Sequence, residues 1–262
     1  MSTDIKADDE QLARRAIGLL DLMALNADDT DQRIIGMCQR ALTPLGPVAS
    51  VCVYPKFVLL ARTALDRLRT PDIRVVAAVN FPYGSANIES AASETRAAVM
   101  AGADEIDVVY PFRTLLCGDQ QVGMDLVAAC RDACGPRTRL TVTLETGDLR
   151  DPQTILDASR GAILSGADFI KTSTGKVVVS ATPQAARIML ESIAEVGGQV
   201  GIKYAGGIRT FQDAKQYLDM TQARFGPHWL TAERVRIGAS SLLDDLLIQL
   251  GVLAPGPQGN CY

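Results

Sequence analysis

Short runs rich in valine and isoleucine recur along the chain, at 19–25 (LLDLMAL), 48–54 (VASVCVY), 73–80 (IRVVAAVN), 104–110 (DEIDVVY), 139–145 (RLTVTLE), 168–172 (DFIKT), 199–204 (QVGIKY) and 234–239 (RVRIGA). Each is the length of a strand and nearly continuous in apolar character, as expected for strands covered on both faces. Between them lie longer segments such as ESAASETRAAVMAG and PQTILDASRGAILSG, in which small apolar and charged residues alternate at helical spacing. These two end alike, in AGAD (101–104) and SGAD (165–168), with a glycine closing each helix before the next strand. Strands alternating with helices in this way make βα units and a parallel sheet. The pattern predicts an α/β protein, a single TIM (β/α)8 barrel with an extra N-terminal helix, ahead of an open doubly wound sheet. No proline- or serine-rich linker divides residues 1–262, so one domain is expected, with a flexible C-terminal tail at about 253–262 (LAPGPQGNCY).

Composition narrows the function. Hydrophobic residues make up 47% of the 262 and charged residues 21%, ordinary proportions for a globular protein. A formal net charge of −4 argues against a broad nucleic-acid footprint, while leaving room for a local anion pocket. The polar start and the lack of a long apolar run point to a cytoplasmic protein with no membrane contact. The cysteines, at 38, 52, 117, 130, 134 and 261, form no C-x-x-C pair, and the one histidine is His228. Neither a zinc site, nor a disulfide framework, nor a histidine-based metal centre is signalled.

Some polar side chains interrupt otherwise apolar strands: Asp107 between Ile106 and Val108, Lys171 between Ile170 and Thr172, Lys203 between Ile202 and Tyr204. If those neighbours face the outer helices, alternation turns the charged groups into the barrel lumen. A lone lumen lysine would be costly, whereas two lysines with a carboxylate can share charge, either as a structural ion cluster or for amine chemistry. A nearby ammonium and partial desolvation both favour a neutral amine, lowering its pKa toward the range where it attacks a carbonyl. Lys171 and Lys203 fit the roles of nucleophile and perturber, and spacing does not say which is which. Asp107 would then move protons.

A second group of residues follows the last two strands. AGGIRT (205–210) and GASSL (238–242) place Gly206, Gly207, Gly238, Ser240 and Ser241 at helix openings, where free N–H groups can hold a phosphate. Arg209 or Lys176 could pair with its charge. STGK fails as a P-loop because Ile170 stands at the first glycine position and Val177 at the last; GASSL lacks the closing glycine of a nucleophile elbow.

With these residues assembled, the chain resembles the bacterial deoxyribose-phosphate aldolases over nearly its whole length. The resemblance runs through VCVYPKF, VNFPYG, GADEIDVVYPFR, LETGDL, GADFIKTSTGKV, IKYAGGIRT and RIGASSLL to the terminal tyrosine. It implies a class I lyase that cleaves 2-deoxy-D-ribose 5-phosphate to D-glyceraldehyde 3-phosphate and acetaldehyde in deoxyribonucleoside catabolism, without metal or cofactor. It implies Lys171 as the Schiff-base nucleophile, Lys203 as pKa perturber and proton relay, and Asp107 as proton donor and acceptor. Phosphate binding falls to Gly175, Lys176, Gly206, Gly207, Arg209, Gly238, Ser240 and Ser241. Asp21 stands behind the reacting groups or makes a simple structural hydrogen bond, Cys52 is an inert thiol or borders the aldehyde, and Tyr262 folds over the site or ends a loose tail. Met23 and Tyr204 depart from the threonine and the proline or alanine more usual at their positions. The expected partners are a phosphorylated sugar and further copies of the chain, a dimer being favoured. Competing expectations are another lysine-dependent phosphosugar aldolase and a phosphosugar-binding barrel without catalysis.

Overall fold

The computed structural model describes residues 2–197 and 199–254. Residues 255–262, most of the expected tail and Tyr262 with it, lie outside the described residues. The strands are β1 (Leu20–Ala24), β2 (Ser50–Val53), β3 (Arg74–Val79), β4 (Glu105–Val109), β5 (Arg139–Thr143), β6 (Phe169–Lys171), β7 (Gly201–Ala205) and β8 (Val235–Gly238). Each end falls within two residues of the corresponding end of its apolar run. All pair in parallel with their sequence neighbours, and β8 returns to β1 to close the barrel. The fold is an α/β TIM barrel.

Helix α1 (Ser2–Ile17) precedes β1. One main helix then follows each strand: α2 (Asp31–Arg40), α3 (Val58–Arg67), α4 (Ile88–Met100), α5 (Gln121–Cys134), α6 (Pro152–Leu164), α7 (Pro183–Glu195), α8 (Phe211–Phe225) and α9 (Leu242–Gln249). Several starts are set by a side chain that accepts an N–H of the first turn: Thr30, Asn87, Asp151, Thr182 and Thr210. None of the described helices is long and apolar enough to cross a membrane. A small hairpin, Leu42–Thr43 against Gly46–Pro47, was not expected. Its arms are too short to show alternation, and it is held by the Thr43 hydroxyl donating to the Gly46 carbonyl at 2.6 Å.

The period of two along each strand sorts residues between two interiors. Ile106, Val108, Ile170 and Ile202 are fully buried in the large apolar core beneath the helices, each worth about 1.5–3 kcal/mol. Tyr204 joins them, its ring 4.8 Å from Tyr217 and its hydroxyl 2.7 Å from Thr221, so the departure at this position is absorbed outside the lumen. The opposite set faces inward. Arg236, Lys203, Lys171 and Thr143 lie in register across β8, β7, β6 and β5. One level below, Phe169 is in register with Gly201, and a Cβ at Gly201 would overlap its ring. Gly201→Ala is therefore expected to destabilise the barrel by about 1–3 kcal/mol, read as a lowered midpoint in chemical denaturation.

Candidate active site

Asp107, Lys171 and Lys203 meet in the lumen. Lys171 Nζ donates to Asp107 Oδ2 at 2.7 Å and Lys203 Nζ to the same oxygen at 3.3 Å. The Thr143 hydroxyl holds the other carboxylate oxygen at 2.6 Å. Lys203 also pairs with Asp21, whose other oxygen accepts from Ser50 and, at 3.0 Å, from Arg236. Arg236 continues to Glu105 at 3.0 Å. Cation and carboxylate thus alternate along one line, Lys171, Asp107, Lys203, Asp21, Arg236, Glu105, and no member is more than 3% exposed.

That order decides the protonation of its inner members. Burial alone would raise the Asp107 pKa, but Lys171 and Lys203 bring it below the usual carboxylate range. Asp21 is likewise held below the usual carboxylate range by Lys203 and Arg236 against the same burial. Burial would lower the Lys203 pKa, yet Asp21 and Asp107 carry it above the ordinary lysine value, so Lys203 is an ammonium. Cys52 is fully buried with Leu25, Val76 and Ala78 in a small apolar cluster. Burial pushes its thiol up to about 12, which keeps it protonated and unreactive at neutral pH.

Above this lumen, at the C-terminal ends of the strands, Gly175, Lys176, Gly206, Gly207, Arg209, Gly238, Ser240 and Ser241 line one opening of about 230 Å³. Gly206 must lack a side chain: at φ 90° it also abuts Ser180 and Ser173. Ser241 precedes α9 without capping it through its side chain, so among the described residues no side chain at the N-cap takes up the N–H groups of the first turn. The Ser240 hydroxyl is committed to β1, donating to the Met23 carbonyl at 3.0 Å and accepting from the Met23 N–H at 2.9 Å. Lys176 Nζ reaches across to Asn26 at 2.9 Å, and Met23 packs beside Gly238 at the rim. A larger hollow of about 500 Å³ lies at the opposite end of the barrel by Arg131 and Asp168, which already pair with each other at 2.6 Å.

The family model for DeoC/LacD family aldolases matches residues 15–247. The chain belongs to that family. A Toxoplasma gondii protein, provisionally assigned as a deoxyribose-phosphate aldolase, superposes with a TM-score of 0.86 at 25% identity, covering 94% of this chain and 96% of that one. A deoxyribose phosphate aldolase from Aeropyrum pernix, described as tetrameric, shares the fold at a TM-score of 0.76 and 21% identity, over 97% and 100% of the two chains.

In this DeoC/LacD family member the strand pattern alone did not single out Arg236, Glu105, Ser50 or Glu145. Arg236 carried the same signal as Lys203, a charge between Val235 and Ile237 in an apolar strand. Glu105, at the strand's first residue, is buried where Arg236 reaches down the lumen to it.

Asp21 and Asp107 titrate lower in the folded chain than in the unfolded one. Their stabilisation is therefore complete above the ordinary carboxylate range and is lost as the pH falls below about 4 toward their native values. Asp21→Asn, which leaves Lys203 and Arg236 short of a counter-charge, is expected to cost about 3–5 kcal/mol at neutral pH. It should also flatten the acid loss of stability between about pH 5 and pH 2, followed by denaturation midpoints.

Proposed function

We propose that the chain is a class I aldolase that cleaves 2-deoxy-D-ribose 5-phosphate reversibly to D-glyceraldehyde 3-phosphate and acetaldehyde through a Schiff base on Lys171. The observation that carries this reading is the placement of a fully buried lysine, bonded to Asp107, on the segment that runs directly into the Gly175–Lys176 edge of the opening. A sugar phosphate anchored in that opening would direct its aldehyde down toward Lys171, which is catalysis by orientation.

Lys171 passes its extra proton to the adjoining Asp107 carboxylate and the freed amine adds to the C1 aldehyde of the open-chain sugar; the carbinolamine hydroxyl takes that proton from Asp107 and leaves as water, which gives the iminium and returns Asp107 to its carboxylate. Asp107 takes the C3 hydroxyl proton, directly or through a water, as the C2–C3 bond breaks. The bonding pair moves into the iminium and forms an enamine, while C3 becomes the aldehyde of glyceraldehyde 3-phosphate. Returning the proton to C2 makes the methyl group, and hydrolysis releases acetaldehyde and the free lysine. Lys203, kept charged by Asp21, supplies a fixed positive charge and a proton donor 3.3 Å from Asp107. The apolar wall of Leu25, Cys52, Val76 and Ala78 suits the two-carbon fragment.

Borohydride added to the protein with 2-deoxyribose 5-phosphate should leave a reduced adduct on Lys171, located by peptide mass spectrometry, and Lys171→Met should abolish both adduct and cleavage. Absence of an adduct in folded protein overturns the proposal and favours a binding barrel; an adduct without cleavage of this sugar favours another lysine-dependent aldolase. Asp107→Asn should lower kcat by about a hundred- to ten-thousandfold, measured by coupled assay of glyceraldehyde 3-phosphate.

A further inference from the structure

Glu145 takes no part in the chemistry above, yet the fold places it with unusual care. It follows β5 at the end of the barrel that carries the site, with its backbone in the left-handed region at φ 60° and ψ 55°. Non-glycine residues are uncommon there and are held only where the surroundings demand it. Its side chain is completely buried.

Among the described residues, all of its side-chain hydrogen bonds go to one residue. Thr174 donates its hydroxyl to Oε2 and its N–H to both carboxylate oxygens at 3.3 Å. The same hydroxyl accepts the Lys176 N–H at 3.1 Å. A carboxylate is the group that suits this position, because both of its oxygens accept, whereas an amide would turn an NH2 toward one of these donors.

Neighbouring residues support the same loop. The Thr146 N–H donates to the Thr172 carbonyl at 2.9 Å, and Gly147 lies so close to the Val179 carbonyl that a Cβ would collide with it. The turn after β5 therefore braces the loop after β6 at its start, at its sharp bend beside Gly175 (φ 75°) and at its far side. Glu145 itself is absent from the lining of the opening, while Thr174, Gly175 and Lys176 belong to it.

We infer that Glu145 is a positioning residue for phosphate recognition: by fixing Thr174 it shapes the Gly175–Lys176 turn that faces the substrate's anionic end. This rests on the phosphate-binding reading of that opening. Because Glu145 acts on one end of the substrate, its loss should separate phosphate recognition from the amine chemistry.

The test compares wild type, Glu145→Gln and Glu145→Ala with 2-deoxyribose 5-phosphate and with unphosphorylated 2-deoxyribose. The ratio of kcat/KM for the phosphorylated over the unphosphorylated sugar should fall about tenfold or more in Glu145→Ala, the scale of a lost hydrogen bond to a charged group. The loss should appear in KM, and the inhibition constant of inorganic phosphate should rise in step. Glu145→Gln, which keeps one acceptor oxygen, should recover part of the ratio while still falling about threefold short of wild type. An unchanged ratio, or an equal fall for both sugars, overturns the inference. If Glu145→Ala does not fold, Glu145→Gln decides by the same criterion. Borohydride trapping of acetaldehyde on wild-type Lys171 distinguishes the two levels: no wild-type adduct means the aldolase reading itself has failed, whereas an adduct with an unchanged ratio removes only the role of Glu145.

Discussion

A line of alternating buried charges, from Lys171 through Asp107, Lys203, Asp21 and Arg236 to Glu105, is the constraint around which the lumen is built. Ionised groups out of water are costly singly and tolerable only when paired and hydrogen-bonded. Here each inner member touches opposite charges on two sides, Thr143 occupies the second oxygen of Asp107, and Ser50 adds a hydrogen bond to the Asp21 oxygen that Arg236 holds. The line links β6, β4, β7, β1 and β8, so the geometry of Lys171 depends on groups on the far side of the barrel.

The same strands produce an interior of three kinds. At the lower level Phe169 fills space left by Gly201, and the Arg236 guanidinium lies 5.8 Å from its ring centre. In the middle the charge line joins Lys171 to Asp107. At the top the chain turns into loops whose hydroxyls tie them down: Thr172 and Ser173 both donate to the Ala205 carbonyl, at 3.0 and 2.9 Å. Glycines at 175, 206 and 207, all at positive φ, let the backbone rather than side chains form much of the rim. A buried lysine below and a glycine-rich rim above form the arrangement on which the proposed retro-aldol reaction rests.

Much of this was legible in the chain. Strand positions followed from apolar runs because a parallel barrel strand is covered on both faces and has no polar side to confuse the pattern. Asp107, Lys171 and Lys203 stood out because charge inside such a run must face the lumen. The glycine and serine residues of 205–210 and 238–242 were recognisable from their places after the seventh and eighth strands. Their detailed roles were not: the Ser240 hydroxyl is spent on β1, and Lys176 reaches Asn26 from a different βα unit.

Periodicity and residue type by themselves determined the βα order, the inward turn of Asp107, Lys171 and Lys203, and the kinds of chemical group available at the strand ends, since these depend on neighbours along one strand. Tertiary structure alone decided which charge meets which. Asp21 could be assigned a role only once barrel closure set β1 beside β8 and brought Lys203 and Arg236 to it. Likewise the buried carboxylate of Glu145 acquires meaning only from Thr174, on the next strand's loop. The physical reason is that pKa and hydrogen-bond partnership are set by groups a few ångströms away in space, and in a closed barrel those groups come from strands far apart in sequence.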